Sequence, residues 1–216
     1  MKLAVIDYGL CNLLSIHNAL KYLNVDCTIT SNGDEIQGAD AVILPGVGAF
    51  EDGMDGLRSK HLICAVQDFV STGKPFLGIC LGMQMLMSKG FEFGEFDGLG
   101  LIPGQVRRFA HEALPEGRSL KIPHVSWNGL MPAVQPWEGS ILGGLKPGVE
   151  MYFVHSYCVF PDNASDILAE TTYGTQKFCS VVRRDNVYGC QFHPEKSSRL
   201  GLNILQNFVQ LKHALN

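Results

Sequence analysis

The first half of the chain alternates short β-branched runs with segments of helical spacing, and this alternation narrows the choice of folds more than any other feature. "KLAVID", "VDCTIT", "AVILPG" and "PFLGIC" read as strands, while "NLLSIHNALKYL", "LICAVQDFVST" and "LGMQMLMS" read as helices. Units of this kind indicate a mainly parallel sheet with helices on both faces. Asn12 or Ser15 is placed to cap the first helix, and Gly73 with Pro75 ends the helix before "PFLGIC". The second half has another texture. "QVRRF", "LKIPHVSWN", "EMYFVHSYCVF", "ILAETTY", "KFCSVVRRD" and "VYGCQF" are strand-like, with turns at "PEG", "KPG", "PDN" and "RDN". A closing helix is expected over "SRLGLNILQNFVQLKHAL". At 216 residues, 46% of them hydrophobic, the chain can bury a core without metals or disulfides. The expected architecture is one α/β domain over residues 1–216: a mainly parallel central sheet flanked by helices, with an additional antiparallel portion.

A net charge of −4 without a Lys/Arg cluster argues against nucleic-acid or anionic-membrane partners. No apolar run approaches the roughly 20 residues that span a bilayer. "MKLAVIDYGL" lacks the long apolar stretch and cleavage site of a signal peptide. Seven cysteines stand singly, an odd number with no C-x-x-C pair. That points to free thiols in a reducing, cytoplasmic compartment and to no metal cluster.

One cysteine has a distinctive setting. Gly78-Ile79-Cys80-Leu81-Gly82 lies at a strand-to-helix junction, the pattern of a nucleophile elbow. There the sharp turn lifts the side chain, flanking glycines keep Cβ atoms out of crowded space, and the helix N-terminus favours thiolate. Taken alone, the pattern equally describes a buried cysteine in a tight turn; the other six cysteines read as core. A thiol nucleophile needs a base, and the base needs a group that holds its tautomer. Of seven histidines, His17 reads as a helix-face residue and His61, His111 and His213 as surface, while His124 and His155 at strand ends stay open. His193 precedes Pro194 and Glu195. In extended backbone, which Pro194 favours, positions i and i+2 share a side, so Glu195 can orient the His193 ring. His-x-Glu alone is commonly an ordinary strand end; joined to the Cys80 elbow it makes a triad. Pro45-Gly46-Val47-Gly48, ending the third strand, offers peptide groups free to reorient as oxyanion donors, or is a plain turn. It lacks the Lys-Ser/Thr ending of a phosphate loop.

"PGVGAF", "KPFLGICLGMQML", "YFVHSY" and "GCQFHPEKS" occur in an order and at separations that resemble the class I (triad-type) glutamine amidotransferases over essentially the full chain. Within them the chain is most similar to the glutaminase-subunit family of imidazole glycerol phosphate synthase, through "PGVGAF", "HPEKS", "VIDYG", "GLGLIPGQV" and "IPHVSWN". The resemblance implies Cys80 as nucleophile, His193 as base and acid, and Glu195 as orienter. It implies oxyanion donors from the backbone of Leu81 and, after a peptide rearrangement, of Val47. It also implies substrate contacts at Gly48, Gln84 and Glu92, and a partner-facing surface at Lys196, Trp127 and Asn128. Trp127 is equally read as a partly buried core aromatic. The implied activity is hydrolysis of glutamine, with ammonia passed to a (β/α)8-barrel cyclase in a heterodimer, and no metal or organic cofactor. Two positions depart from the family pattern: Cys11 in "DYGLCNL" stands where glycine is usual, and Ser126 replaces the glycine of His-Met-Gly-Trp-Asn. Alternatives are a paralogous subunit feeding another synthase, such as one amidating surface sugars, and a stand-alone cysteine hydrolase of γ-glutamyl substrates. A non-catalytic relative is disfavoured by the intact triad.

Overall fold

A computed structural model describes residues 1–112 and 119–211. The first half runs β1 (Leu3–Ile6), α1 (Leu13–Tyr22), β2 (Cys27–Thr30), α2 (Gly33–Gln37), β3 (Ala41–Leu44), α3 (Phe50–Ser59), α4 (Leu62–Ser71), β4 (Phe76–Ile79) and α5 (Leu81–Met85). The second half is mostly strand. It comprises β5 (Met87–Gly90), β6 (Phe96–Asp97), β7 (Ile102–Arg108), β8 (His124–Gly129), β9 (Met131–Pro132), β10 (Glu150–His155), β11 (Tyr157–Pro161), β12 (Ile167–Tyr173), β13 (Gln176–Arg184) and β14 (Val187–Cys190), closed by α6 (Ser198–Gln210).

One sheet carries the order β2-β1-β3-β4-β14-β13-β11-β7-β5-β6, with β12 and β9 branching from β13. β2, β1, β3, β4 and β14 are mutually parallel, and β13 joins β14 antiparallel. β8 and β10 form a separate antiparallel pair. β1, β3 and β4 are buried on both faces, as their apolar runs require, while the edge strand β2 is partly exposed. Alternate residues feed two cores: Leu3, Val5 and Ile43 pack with Ile16 and Leu20 of α1 and Phe208 of α6. Ala4, Val42 and Leu44 pack with α3, α4 and α5 through Met54, Phe69 and Met83. Asn12, not Ser15, caps α1, accepting the Ser15 N–H at 3.3 Å.

Several sequence expectations are corrected. Two helices, α2 and α3, went unread. In α3, "FEDGMDGLRS" carries glycines that ordinarily weaken a helix. Here they permit close packing: a Cβ on Gly53 would meet Met85 Sδ at 2.8 Å, and one on Gly56 would meet the Tyr8 carbonyl oxygen at 2.7 Å. The helix expected over "LGMQMLMS" stops at Met85, because the segment 98–102 takes its outgoing carbonyls. Leu99 N–H donates to Met85 O at 2.8 Å and Ile102 N–H to Leu86 O at 3.0 Å. "EMYFVHSYCVF" is two strands in two sheets, divided at Ser156. "VYGCQF" is strand only to Cys190 and forms the seam between the parallel and antiparallel parts. Cys64, expected in the core, is exposed, and Cys11 and Cys27 are half-buried. The turn at 115–117, the last residues of the closing-helix segment and His213 lie outside the described residues.

The two glycines of the elbow are fixed by packing. A Cβ on Gly82 would sit 1.8 Å from the Leu44 carbonyl oxygen, and one on Gly78 2.6 Å from the Gly82 carbonyl oxygen. Gly82→Ala is therefore expected to force α5 off β3 and to destabilise the fold by about 1–3 kcal/mol or more. A lowered urea midpoint would show it; an unchanged midpoint would contradict the packing argument.

Candidate active site

β4 delivers Cys80 at the carboxyl end of the parallel sheet, where ligand crevices form in open α/β folds. Its backbone sits at φ 54°, ψ −108°, a strained position for a residue with a Cβ. Surrounding bonds hold it there: Cys80 N–H donates to Cys190 O at 2.8 Å, and Gln84 N–H donates to Cys80 O at 3.1 Å. The following helix, α5, has only five residues, and its first amide is not free for the sulfur. Leu81 N–H points to Gly46 O at 3.4 Å. The expectation that this helix terminus by itself favours the thiolate is corrected accordingly.

The β14 seam brings in the second group. Cys190 pairs with Ile79 in parallel register, so the chain leaving β14 passes beside Cys80 and reaches His193 three residues later. His193 N–H donates to Tyr152 O at 3.0 Å. Ser197 Oγ donates to His193 O at 2.7 Å and accepts Tyr152 N–H at 2.9 Å. The ring meets Glu195 through Nδ1 and Oε1 at 2.8 Å, with the side chains 3% and 2% exposed. The route differs from the extended one expected, because Pro194–Lys196 is a 3₁₀ turn; the turn still returns Glu195 to the ring. Burial works against a charge on His193, but the neighbouring Cys80 sulfur and Glu195 carboxylate outweigh it and raise its pKa to about 10. Nε2, the nitrogen left for Cys80, is buried without a hydrogen bond of ordinary geometry.

A cavity of about 260 Å³ opens over the sulfur, lined by Val47, Gly48, Leu81, Gln84 and Glu92. His193 and His155 close its other side. Larger hollows exist, such as one of about 590 Å³ beside Arg107 and Lys177, but that one has no paired nucleophile and base. Gln84 Nε2 donates to Tyr157 O at 3.1 Å and to Gln191 Oε1 at 3.2 Å. Glu92 accepts the Phe50 N–H at 2.8 Å at the start of α3; burial raises its carboxyl pKa, with that bond opposing.

The Gly46–Val47 peptide engages both of the backbone N–H groups expected as oxyanion donors. Its carbonyl takes the Leu81 N–H, and its own N–H donates to Leu10 O at 3.0 Å. Both expected donors are thus engaged, by the two ends of one peptide unit. Trp127, Asn128 and Lys196 lie outside the cavity lining. Trp127 is 46% exposed and tilts against Tyr152, so it is a surface aromatic and not core. Lys196 is exposed, and Asn128 Oδ1 lies 2.8 Å from His124 Nε2.

Two features escaped the sequence reading, Gln191 and Ser197. Gln191 is fully buried and donates from Nε2 to Cys80 Sγ at 3.7 Å; its one signal was an amide inside an apolar strand, two residues before His193. Ser197 ties His193 to β10. His155, left open as a site residue, lines the cavity, and burial holds its pKa down at about 3. It joins the buried His124 at 3.1 Å between Nε2 and Nδ1. Among the described residues no group of His, Cys, Asp and Glu could hold a metal ion, and no helix is long and apolar enough to cross a membrane.

A strained thiol beside a carboxylate-held imidazole, over a small cavity, is equipped for acyl transfer. Comparison with known proteins agrees. The family described as glutamine amidotransferase class-I matches residues 4–211. Imidazole glycerol phosphate synthase subunit HisH 1 of Legionella pneumophila (strain Lens) is 45% identical over 210 residues, covering 96% of this chain and 98% of that protein. The HisH subunit of Moorella thermoacetica is 44% identical, covering 99% and 97%. Among solved structures, one described as a glutamine amidotransferase aligns with a TM-score of 0.71 at 19% identity, covering 96% of this chain and 97% of that one. Thermotoga maritima PurLQS aligns at 0.70 and 17%, covering 97% of each chain, so these two speak for the fold alone. The chain belongs to the class-I glutamine amidotransferases and, within them, to the HisH subunits of imidazole glycerol phosphate synthase.

Proposed function

We propose that this chain, as one domain over residues 1–216, is a cytoplasmic glutaminase subunit that hydrolyses glutamine and passes ammonia to a (β/α)8-barrel cyclase in histidine biosynthesis. The observation that carries the reading is the buried His193–Glu195 pair set against Cys80. The Cys80 thiolate attacks the side-chain amide carbon of glutamine, and the negative charge moves to the carbonyl oxygen. Imidazolium His193 gives its proton to the departing nitrogen, so ammonia leaves and a γ-glutamyl thioester remains. His193, now neutral, takes a proton from water as the water attacks the thioester. Glutamate leaves and the thiolate is restored. Gly48, Gln84 and Glu92 hold the glutamine, and Lys196, Trp127 and Asn128 face the cyclase. No metal or organic cofactor takes part.

The oxyanion donors are Leu81 and Val47. Rotating the Gly46–Val47 peptide removes its carbonyl from Leu81 and turns the Val47 N–H toward the cavity, freeing both donors in one movement. Rotation also carries Val47 to positive φ, which a β-branched residue resists by about 1–3 kcal/mol. The resting chain is accordingly slow, and the cyclase favours the rotated state. Val47→Gly removes that resistance and is expected to raise partner-independent glutamate release about 5- to 150-fold, the factor to which that energy converts. An unchanged rate would remove the flip from the mechanism.

The direct test is glutamate release by the purified chain, alone and with a cyclase subunit carrying its ribonucleotide ligand. Weak activity alone that rises by orders of magnitude in the complex, and vanishes in Cys80→Ala, is the expected result. Strong partner-independent release would favour the stand-alone hydrolase. Cys80-dependent release that no cyclase stimulates would favour a different synthase.

The His193 pKa sets the pH behaviour. It is raised from 6.5 to about 10, so its contribution to stability is complete below about pH 6.5 and is lost as pH rises through about 10. The imidazolium that protonates ammonia persists over the same range. Glu195→Gln removes one of the groups that raise it. We expect kcat to fall about 10²–10⁴-fold and the alkaline limb of the pH–rate profile to move to lower pH. A lowered kcat with an unmoved limb would make Glu195 a packing residue only.

A further inference from the structure

Among the buried polar side chains that the proposed mechanism leaves unused, Gln191 touches the reacting atom. Gln191 is fully buried, and its Nε2 lies 3.7 Å from Cys80 Sγ. Which end of an amide faces a neighbour follows from its bonding network, and here the network fixes the answer from a distance. The Tyr157 carbonyl can only accept, so the Gln84 amide must present Nε2 to it, as it does at 3.1 Å. The second hydrogen on that nitrogen reaches Gln191 at 3.2 Å, and Gln191 must therefore offer Oε1. Its NH2 group is left for the sulfur. The backbone of Gln191 is held as well, its N–H donating to Ser180 O at 2.9 Å. Flipping the Gln84 amide would set its oxygen against the Tyr157 carbonyl, two acceptors face to face, and flipping Gln191 would set two NH2 donors against each other.

We infer that Gln191 is a further catalytic residue, an N–H donor that holds the Cys80 sulfur in place and stabilises it as thiolate. The need for one is plain in the local geometry. The short α5 offers its first amide to Gly46 and not to the sulfur, and His193 Nε2 makes no hydrogen bond of ordinary geometry. A donor to the charged form of a group favours that form, most strongly where water is excluded. The same chain of bonds runs to Gln84, which lines the cavity, so substrate contact at Gln84 and the setting of the thiol share one amide pair. Among the described residues, the ionisable groups interacting with Cys80 are His193, Cys190 and Tyr8, and Glu92 and His155 line the same cavity. Burial pushes the Cys190 thiol and the Tyr8 hydroxyl upward, which keeps both neutral.

The inference rests on Cys80 as nucleophile, and the test reads the thiol without requiring glutamine turnover. Iodoacetamide alkylation, assigned to Cys80 by peptide mass, is followed against pH in the full chain, in Gln191→Met and in Gln191→Asn. Methionine fills the volume with no donor; asparagine keeps an amide but draws it back by one methylene. Both should slow alkylation at neutral pH about tenfold, equivalent to one pH unit of displacement. Glutamine turnover should lose kcat by a similar factor. Wild-type alkylation in either variant that still folds, by circular dichroism and urea midpoint, would overturn the role of Gln191 and leave the glutaminase reading intact. Glutamate release that persists in Cys80→Ala would instead remove Cys80 as the nucleophile on which the inference rests, and absence of release from the full chain with its cyclase would sink the glutaminase reading while the alkylation comparison still stands.

Discussion

The site depends on a single strained residue, Cys80, held where its backbone does not choose to be. Its positive φ costs on the order of 1–3 kcal/mol, and the surroundings leave it no alternative. The Cys190 carbonyl holds its N–H, α5 begins directly after it, and Gly78 and Gly82 let helix and strands approach within distances no Cβ would tolerate. The bond from Cys80 to Cys190 also continues the β4–β14 register beyond Ile79. One interaction thus fixes the elbow and aligns the chain that carries His193. Because β4 and β14 are parallel, both groups emerge at the same edge of the sheet, and no long loop is needed to bring them together.

The second dependence is electrostatic. Placing His193 and Glu195 together out of water is costly for each alone, and removal of one partner from such a pair typically costs 3–5 kcal/mol. The fold contains that cost locally. Ser197 accepts from Tyr152 and donates to the His193 carbonyl, so the backbone under the imidazole is tied to β10 before the side chains meet. A histidine with its carboxylate two residues away then needs only a short 3₁₀ turn to close the contact.

Much of this was legible in the residues. The alternation of strands and helices, the elbow glycines around Cys80 and the His193-Pro194-Glu195 sequence each carry a local physical signature. What was not legible depends on partners distant in sequence. The α3 helix looked poor because Gly53 and Gly56 are needed for contacts with Met85 and Tyr8. The methionine run after Cys80 has no internal stop signal; the segment 98–102 supplies the stop by taking its carbonyls. "EMYFVHSYCVF" gives no warning that its halves belong to different sheets. Gln191 looked like a polar interruption in a strand, because its partners Gln84 and Cys80 lie more than a hundred residues away.

In the proposed reaction these parts divide into what the chain holds ready and what it withholds. Nucleophile, base and orienter are assembled and buried, and disassembling them would cost the fold several kcal/mol. The oxyanion donors are withheld by one peptide between Gly46 and Val47, whose two ends block both donors together. Loss of a single such donor is worth about 10²–10³ in rate. On this proposal a change in one ψ and one φ separates a slow site from a fast one, without moving a catalytic side chain. Regulating the reaction through that peptide leaves the strained elbow and the buried pair undisturbed, so on this proposal the on and off states differ greatly in rate at a cost of about 1–3 kcal/mol, the resistance of Val47 to positive φ.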